Sequence, residues 1–362
     1  MNSLILNLSM LGANPTGLGV YSQRAALAVS HRFRTSILAG QGVAPSGDII
    51  ARAPASVAIG GGKLAAIRRQ FWMRGLRLPE NALVYSPTHH GLPGRKNQII
   101  TVHDLICLRF PSQHRPQYLF FKYGLPRLLR NCKAVFTVSE TTRNDVAETY
   151  GFPRDRIFVV PNGVDRTEFG PAPSSEANAT PYLLMVGARY SHKNVDEVLR
   201  MAHLWSDTYV LKVTSCSGEY RAALEREVQA RGLSSKVQFL DYLSWAELKA
   251  LYQNCAALVY PSKWEGFGIP PLEALACGVP VIASDIPVHR EVLGEAASFV
   301  GLGDEKSWAL AFSELASGLK DSPARKEAAE RVLTGFTWDN SAEILKRALL
   351  AVEPKLEQAL TA

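Results

Sequence analysis

The stretch ALVYPSKWEGFGIPPLEALACGVPVIASD, residues 257–285, contains a complete strand–helix–strand unit. Each end is a short apolar run typical of a buried strand, while a proline pair suits a first helical turn and Gly278 suits the end of that helix. This interpretation places Glu273 in the first turn of the helix and Glu265 in the loop before it. A carboxylate near a helix N-terminus is favoured by about 0.3–1 kcal/mol. That preference explains Glu273 but leaves Glu265 and the glycines between them unexplained.

The same alternation of apolar runs and longer helical patterns extends along the whole chain. It predicts an α/β protein of two Rossmann-like, doubly wound domains, each built on a parallel sheet. The boundary falls near RTEFGPAPSSEANATP, a stretch low in apolar residues that holds three prolines. We predict an N-terminal domain over residues 1–168, a linker over 169–181, a C-terminal domain over 182–335 and a terminal helix over 336–362, capped by Asp339 or Asn340.

Charge is distributed unevenly between the two halves of the chain. The net charge is +7, but residues 1–180 hold 21 basic against 10 acidic residues (+11), while residues 181–362 hold 19 against 23 (−4). The first half is therefore expected to meet an anion, such as nucleic acid, phospholipid headgroups or a phosphorylated substrate, or else to be a solvated basic surface. Five cysteines without close spacing indicate reduced thiols and a cytoplasmic protein. No acidic cluster suggests a metal site.

Ligands of open parallel sheets bind at the carboxyl ends of the strands, so the loops that leave the strands are the places to look for chemistry. Gly17 and Gly19 follow the first strand and lead into a helix, where free backbone amides suit a phosphate. A tight turn explains two glycines equally well. His103 ends another strand beside Asp104 and could bind a substrate hydroxyl or share a proton with that carboxylate, or it could be a structural histidine.

Three further loops complete the set of candidates. His89 and His90 also leave a strand, and together with Asp104 they are the acceptor-side candidates. Arg189 and Lys193 follow Gly187 and could neutralise a diphosphate, although two basic residues in a loop are usually just solvated. Around the opening stretch, one carboxylate can bind a diol and the other a second hydroxylated group, while the intervening amides hold an anion. The candidate amides and flanking residues are Gly266, Phe267, Gly268 and Ile269. That arrangement suits a sugar nucleotide.

The run EGFGIPPLEALACGVPVIAS resembles the donor-site signature of retaining family 4 glycosyltransferases of the GT-B fold. TGLGVYSQ, TVHDL, FTVSETTRNDV, VVPNGVD, VGARYSHKN and FTWDNSAE occur in the order typical of the family. The resemblance therefore covers nearly the whole chain. It implies two Rossmann-like domains that face each other across a cleft, with the C-terminal helix crossing back to the first domain.

The resemblance also implies roles for individual residues. Glu273 would bind the nucleotide ribose, Glu265 would face the donor sugar near the reaction centre, and Lys193 would neutralise the leaving diphosphate. The remaining expectations are Arg189 assisting Lys193, Phe267 and Gly268 amides on sugar or phosphate, Gly19 on the β-phosphate, His103 on the donor sugar and the backbone at Leu243 on the base. Arg189 is displaced by one position from the family pattern, and Asp241 stands where a glycine is common.

The function implied is a retaining, metal-independent transfer of a sugar, with GDP-mannose favoured, to a glycan or lipid-diphosphate-linked acceptor of a surface polysaccharide. No cofactor is expected beyond the nucleotide-sugar substrate. UDP- or dTDP-sugars (glucosyl, N-acetylhexosaminyl or rhamnosyl transfer) and a sugar-nucleotide epimerase of the same fold remain alternatives. A basic nucleic-acid-binding protein is the non-enzyme alternative, suggested by a pI of about 9.1, but the sequence lacks a nucleic-acid recognition motif.

The segment KLAAIRRQFWMRGLRL, residues 63–78, combines five basic residues with Phe71, Trp72 and several aliphatic residues. It could lie on an anionic membrane surface or guide a lipid diphosphate acceptor. An ordinary amphipathic helix packed on the sheet is the alternative. With the charge asymmetry, this segment favours a peripheral enzyme on the inner face of the cytoplasmic membrane.

Overall fold

The computed structural model describes residues 4–11, 17–41, 47–57, 64–171, 180–241, 243–318 and 322–360. The chain divides into two compact units, Met1–Asn162 with Trp338–Ala362, and Gly163–Thr337. The boundary lies six residues before the predicted end of the first domain, at residue 168. Residues 172–179 of the predicted linker lie outside the described residues.

The first unit contains a seven-stranded parallel sheet with the order β3-β2-β1-β4-β5-β6-β7. The order reverses beside β1, which pairs with β2 on one side and β4 on the other. The three central strands β1, β4 and β5 are buried along their whole length, as parallel strands covered by helices on both faces require. The strands are β1 Leu4–Asn7, β2 Thr35–Ala39, β3 Asp48–Arg52, β4 Leu83–Ser86, β5 Gln98–Val102, β6 Cys132–Thr137 and β7 Ile157–Val159.

Helices connect these strands, and their ends follow local sequence signals. Ser139 caps one helix by accepting from the Thr142 backbone N–H, and Gly151 ends that helix in the left-handed conformation. The helices are α1 Gly17–Arg32, α2 Ala65–Gly75, α3 Ile106–Arg109, α4 Arg115–Leu119, α5 Leu125–Leu129 and α6 Glu140–Tyr150. Between α4 and α5 the chain forms a π-helical turn, Phe120–Gly124.

The second unit contains a six-stranded parallel sheet with the order β10-β9-β8-β11-β12-β13. Its strands are β8 Tyr182–Met185, β9 Val210–Thr214, β10 Val237–Leu240, β11 Ala257–Tyr260, β12 Val281–Ser284 and β13 Ala297–Val300. Its helices are α7 Val195–Arg200, α8 Gly218–Ala230, α9 Trp245–Asn254, α10 Ile269–Ala276, α11 Pro287–Leu293, α12 Glu305–Ala316 and α13 Pro323–Gly335. The two sheets confirm the predicted α/β class with two doubly wound, Rossmann-like halves.

The C-terminal helix α14, Trp338–Val352, belongs to the first unit and packs against α1. It begins at Trp338, so Asp339 and Asn340 lie inside its first turn and the predicted cap at either residue is wrong. Ser341 anchors the helix by donating to the Pro161 carbonyl at 2.6 Å. Over the described parts of the chain, no helix is both long and apolar enough to span a bilayer.

Candidate active site

A buried ion pair joins two loops at the carboxyl end of the second sheet. Lys193 Nζ donates to Glu265 Oε1 at 2.5 Å and to the Tyr260 hydroxyl at 3.0 Å. Lys193 lies in a single 3₁₀ turn after β8, and Glu265 lies in the loop after β11. Because β8 and β11 are paired neighbours, the loops that follow them meet.

Backbone contacts hold the two loops together. The Lys263 N–H donates to the His192 carbonyl at 2.8 Å. Asn194, which takes the left-handed conformation with φ 63°, donates from its side-chain amide to the Pro261 carbonyl at 3.2 Å. The same amide donates to Glu197 at 2.5 Å. The position of Lys193 is therefore fixed by residues on both sides of it.

Lys193 and Glu265 each keep the other charged. Burial alone raises the pKa of Glu265, but the charge and hydrogen bond of Lys193 outweigh it and hold that pKa at about 2. Burial lowers the pKa of Lys193, whereas Glu265 and Tyr260 together raise it above its ordinary value. Side-chain exposure is only 17% for Lys193 and 9% for Glu265. Both side chains are therefore charged in a place from which water is largely excluded.

Glu273 is the fifth residue of α10, so the prediction that it lies in the first turn is wrong. The helix begins at Ile269, before the two prolines, so Glu273 lies just past the first turn. Its Oε2 accepts a hydrogen bond of 2.6 Å from the Tyr252 hydroxyl. Burial raises the pKa of Glu273 to about 7, since the Tyr252 hydrogen bond only partly offsets it and the Glu168 charge adds to it. This carboxyl therefore changes charge near neutral pH.

The glycine-rich turn between the two glutamates has a fixed backbone. Gly268 takes φ 98°, and a side chain there would lie 3.6 Å from the Tyr260 ring and 3.8 Å from His289. Phe267 is buried and packs edge-on against Phe336 at 5.4 Å. Gly266 is also buried, and Ile269 opens α10. The turn thus keeps a left-handed residue directly before the helix.

The other predicted residues of the second unit lie at its surface. Gly187 takes φ 74° after β8. Arg189 is exposed, with its guanidinium 5.6 Å from the centre of the Tyr190 ring. Leu243 directly precedes Ser244, which caps α9 through a capping box. Asp241, the departure from the family pattern, forms an ion pair with Arg221.

In the first unit, the glycines and His103 have local partners. Gly17 opens α1 and Gly19 is buried in its first turn, while the loop before them, residues 12–16, lies outside the described residues. His103 donates from Nε2 to the Pro87 carbonyl at 3.0 Å, since a carbonyl only accepts, and burial lowers its pKa to about 4. Asp104 accepts from the Ile106 N–H at 2.9 Å. These contacts give His103 and Asp104 separate partners.

His89 and His90 form an aromatic cluster near the end of β4. Their ring centroids are 4.1 Å apart, and the His90 ring stacks on Phe120 at 5.8 Å with an interplanar angle of 11°. Burial lowers the pKa of both, that of His90 to about 3 with help from the charge of Arg69. Both histidines are therefore neutral at physiological pH.

Two tyrosines of the site were missed at the sequence level. Tyr260 is the last residue of β11 and Tyr252 lies within α9, and each hydrogen-bonds a predicted site residue. The position of Tyr260 at the carboxyl end of a strand was a usable signal. No signal in the sequence pointed to Tyr252. Among the residues that the structure describes, no group of three or more His, Cys, Asp or Glu side chains is placed to hold a metal ion.

Comparison with known families matches both halves of the chain. Residues 82–168 match the family model "Glycosyltransferase Family 4", and residues 168–332 match "Glycosyl transferases group 1". The O-antigen chain mannosyltransferase RfbU of Salmonella typhimurium is 35% identical over 325 residues, which are 86% of this chain and 90% of that protein. The O-antigen chain mannosyltransferase B of Escherichia coli is 27% identical, over 75% of this chain and 74% of its own length.

Solved structures agree on the fold. Anabaena Alr3699/HepE in complex with UDP and glucose has a TM-score of 0.73 and 17% identity, with 96% of this chain and 100% of that chain covered. WaaG, a glycosyltransferase involved in lipopolysaccharide biosynthesis, has a TM-score of 0.64 and 13% identity, with 97% and 99% covered. Because both family models and a relative 35% identical over most of the chain match, the chain belongs to glycosyltransferase family 4 and has the GT-B fold.

Proposed function

We propose that this glycosyltransferase transfers mannose from GDP-mannose to a glycan or lipid-linked acceptor during synthesis of a surface polysaccharide of the O-antigen type. The support for mannose is that the two relatives described above are O-antigen chain mannosyltransferases, one of which is matched over 90% of its length. The support for a nucleotide-sugar donor is the Lys193–Glu265 pair, which carries the proposal on the structural side.

Lys193 suits the neutralisation of a leaving diphosphate. Its ammonium is fixed by two acceptors in a largely water-excluded site, where a charge interacts more strongly than it does in water. An arriving diphosphate would compete with Glu265 for this ammonium, and the released carboxylate could then accept from a sugar hydroxyl. Glu273, one turn into the helix that follows, would accept from the ribose diol in its ionised form.

Reaction with retention would proceed on one face of the sugar. The bond from the anomeric carbon to the β-phosphate oxygen breaks, the acceptor oxygen bonds to the same face, and the acceptor proton passes to the departing phosphate. In this scheme no carboxylate acts as nucleophile, so the glutamates position the donor and Lys193 stabilises the charge that develops. The required charge comes from side chains and helix N-termini, without a protein-bound metal.

A UDP- or dTDP-sugar is the second candidate donor. Its support is the structural neighbour from Anabaena, which is described in complex with UDP and glucose. The ion pair of Asp241 with Arg221 lies two residues before Leu243, where the resemblance implies base contacts. GDP, UDP and dTDP must therefore be tested side by side.

Association with the inner face of the cytoplasmic membrane is also part of the proposal. The first half of the chain carries the excess positive charge, +11 over residues 1–180. On α2, Ile67 and Phe71 are exposed beside Arg68 and Arg74. Exposed apolar and basic side chains on one helix suit an anionic bilayer surface.

Thermal-shift binding of GDP, UDP, dTDP and their sugars tests the donor first. A nucleotide at 100 times its Kd should stabilise the fold by about 2.7 kcal/mol. We expect GDP-mannose and GDP to shift wild type, and Lys193→Ala and Glu273→Ala to lose the shift while remaining folded. NMR of the product would then report the anomeric configuration. A selective response to UDP-glucose, or an inverted product, would contradict the proposal.

A further inference from the structure

Glu197, the third residue of α7, is a buried carboxylate to which no role has been assigned above. Its side chain is only 3% exposed, although carboxylates are almost never fully buried unless they are paired. The neighbouring Asp196 is 26% exposed and forms an ion pair with Arg200 at 3.0 Å. A carboxylate in the first turn of a helix is favoured by the helix dipole. That preference explains Asp196 but does not explain why Glu197 is buried.

Each oxygen of the Glu197 carboxylate has its own donors. Oε1 accepts from the Gly303 backbone N–H at 2.7 Å and from Trp308 Nε1 at 3.0 Å. Oε2 accepts from Asn194 Nδ2 at 2.5 Å, and an Arg200 guanidinium nitrogen lies 3.9 Å from it. An ionised carboxylate only accepts hydrogen bonds, so both of its oxygens match these donors. A carboxamide of the same shape would turn an NH2 group toward at least one of them.

The bond to Oε2 fixes the orientation of the Asn194 side chain. The same NH2 group donates to the Pro261 carbonyl at 3.2 Å. Because both partners only accept, a flipped amide would set its own oxygen against two others. The Asn194 Oδ1 atom is buried and has no partner within the described residues, which costs stability. The bonds to Glu197 and Pro261 therefore decide how this side chain is held.

Asn194 sets the direction of the backbone directly after Lys193. It takes φ 63° and ψ 37°, a left-handed conformation that residues other than glycine keep only where their surroundings hold it. It ends the 3₁₀ turn Ser191–Lys193 and is the residue before α7. A single 3₁₀ turn has poor hydrogen-bond geometry and little stability of its own. The placement of Lys193 therefore depends on the side-chain bonds of Asn194.

We propose that Glu197 is the positioning residue for Lys193. Its Oε2 holds Asn194 in the left-handed conformation, and Asn194 holds the Lys193 ammonium in place against Glu265. Its Oε1 bonds the segment between β13 and α12 and the start of α12 itself, and that attachment serves stability. The inference rests on the proposed function for what Lys193 does to a leaving diphosphate, whereas the placement of Lys193 can be measured without any donor.

Glu197→Gln separates the two attachments. The carboxamide oxygen keeps two hydrogen bonds if it faces Gly303 and Trp308 but only one if it faces Asn194, so the NH2 group should turn toward Asn194. We expect this variant to fold and to lose the fixed position of Lys193. For transfer from GDP-mannose, kcat should fall about tenfold while KM changes by less than about threefold, because charge on the leaving diphosphate is largest in the transition state.

Two control variants make similar changes without touching the Asn194 bond. Asp196→Asn converts a carboxylate to an amide in the same turn of α7, and Trp308→Phe removes one donor from Glu197 Oε1. Each should lower kcat by less than about twofold, although Trp308→Phe should melt at a lower temperature because its indole is fully buried. A loss of kcat in either control equal to that in Glu197→Gln would overturn the proposal, as would a rise in KM alone in Glu197→Gln.

Asn194→Gly provides a double-mutant cycle. Glycine takes the left-handed conformation without side-chain bonds. Glu197→Gln should therefore change kcat by less than about twofold when Asn194→Gly is already present. If Glu197 acted only through Trp308 and Gly303, the loss of about tenfold would be the same in both backgrounds. Such additive losses would show that Glu197 does not act through Asn194.

The Lys193 ammonium provides a readout that needs no donor. In protein labelled with ¹⁵N-lysine, a buried and hydrogen-bonded ammonium exchanges slowly with water and gives a ¹⁵N–¹H signal, which Lys193→Met assigns. We expect the signal in wild type, Asp196→Asn and Trp308→Phe, and its loss in Glu197→Gln. An unchanged signal in Glu197→Gln would overturn the proposal. Loss of the signal in that variant, with no transfer from GDP-mannose by wild type, would contradict the proposed function and leave the positioning role standing.

Discussion

The Tyr252 hydroxyl donates a hydrogen bond of 2.6 Å to Glu273 Oε2, and it does so from a fully buried position on α9. The bond favours the ionised carboxyl, while burial favours the neutral one. The balance leaves the pKa of Glu273 at about 7, so a group proposed to bind ribose in its ionised form is poised at the pH of the cell.

Stability should fall with rising pH because of Glu273. Its folded-state pKa of about 7 lies above the ordinary value of 4.5, so its stabilising contribution is complete below about pH 4.5 and is lost as pH rises to 7. The free energy of unfolding of wild type relative to Glu273→Gln should drop by about 2 kcal/mol over that range, a value reduced for partial solvent contact. Urea unfolding at pH 5, 6, 7 and 8 measures it. A constant difference between the two proteins would contradict the raised pKa.

Tyr252→Phe should weaken donor binding near neutral pH. Loss of the hydrogen bond raises the pKa of Glu273 further, which leaves less of the ionised form at pH 7. We expect the affinity for GDP-mannose to fall about fivefold at pH 7, equivalent to roughly 1 kcal/mol for one hydrogen bond, and to recover toward pH 8.5. Tyr182→Phe is the matched control, since it removes a 2.8 Å hydrogen bond to the Leu251 carbonyl of the same helix without touching Glu273. If both variants lose affinity alike, α9 packing is the cause.

The Lys193–Glu265 pair should show strong coupling in a double-mutant cycle. Lys193→Met leaves a buried carboxylate unpaired and should cost about 2–4 kcal/mol of stability. Adding Glu265→Gln removes that charge and should restore at least half of the loss. Transfer activity should be about 10²-fold or more below wild type in Lys193→Met and in the double variant, because neither retains the Lys193 ammonium. Denaturant midpoints and kcat/KM with GDP-mannose provide the two readouts. Additive stability losses would show that the two groups are not paired in solution.

Gly268→Ala should destabilise the second unit. At φ 98° a side chain strains the backbone, whereas its Cβ would make only ordinary contacts with Tyr260 and His289. We expect a loss of about 1–3 kcal/mol together with weaker GDP-mannose binding. Gly335→Ala, at the end of α13 with nothing within 4 Å of the added Cβ, should be neutral or slightly stabilising. Melting curves of both variants with and without GDP-mannose compare them. Equal melting temperatures of wild type and Gly268→Ala would show that the backbone of this turn can relax to accept a side chain.

The sequence predicted the positions of strands best where the strands are mostly apolar and central. β4, β5, β11 and β12 each appear as a largely apolar run because both faces are covered by helices. The edge strand β3, DIIAR, was missed. Its residues are largely exposed, so its pattern is not the one that a buried parallel strand produces.

Within the site, the sequence predicted that Lys193 and Glu265 lie in loops that leave the strands, but it did not predict what each side chain contacts. Lys193 and Glu265 are 72 residues apart, and their direct pairing depends on β8 and β11 being neighbours in the sheet. The prolines after Gly268 were recognised as a helix start, but the helix begins one residue before them, at Ile269, which leaves Glu273 beyond the first turn. Its actual partner, Tyr252, comes from a helix whose sequence carries no unusual feature.

The first unit is assembled from both ends of the chain, because α14 packs on α1 and the Arg34 N–H donates to the Ala359 carbonyl at 2.7 Å. During synthesis at 5–20 residues per second, residue 338 follows residue 162 by roughly 10–35 s. During that interval the face of α1 that includes Tyr21 is not yet covered by α14. A nascent chain of this protein therefore needs protection from aggregation until its last helix emerges, and a truncation before Trp338 should fail to accumulate in cells.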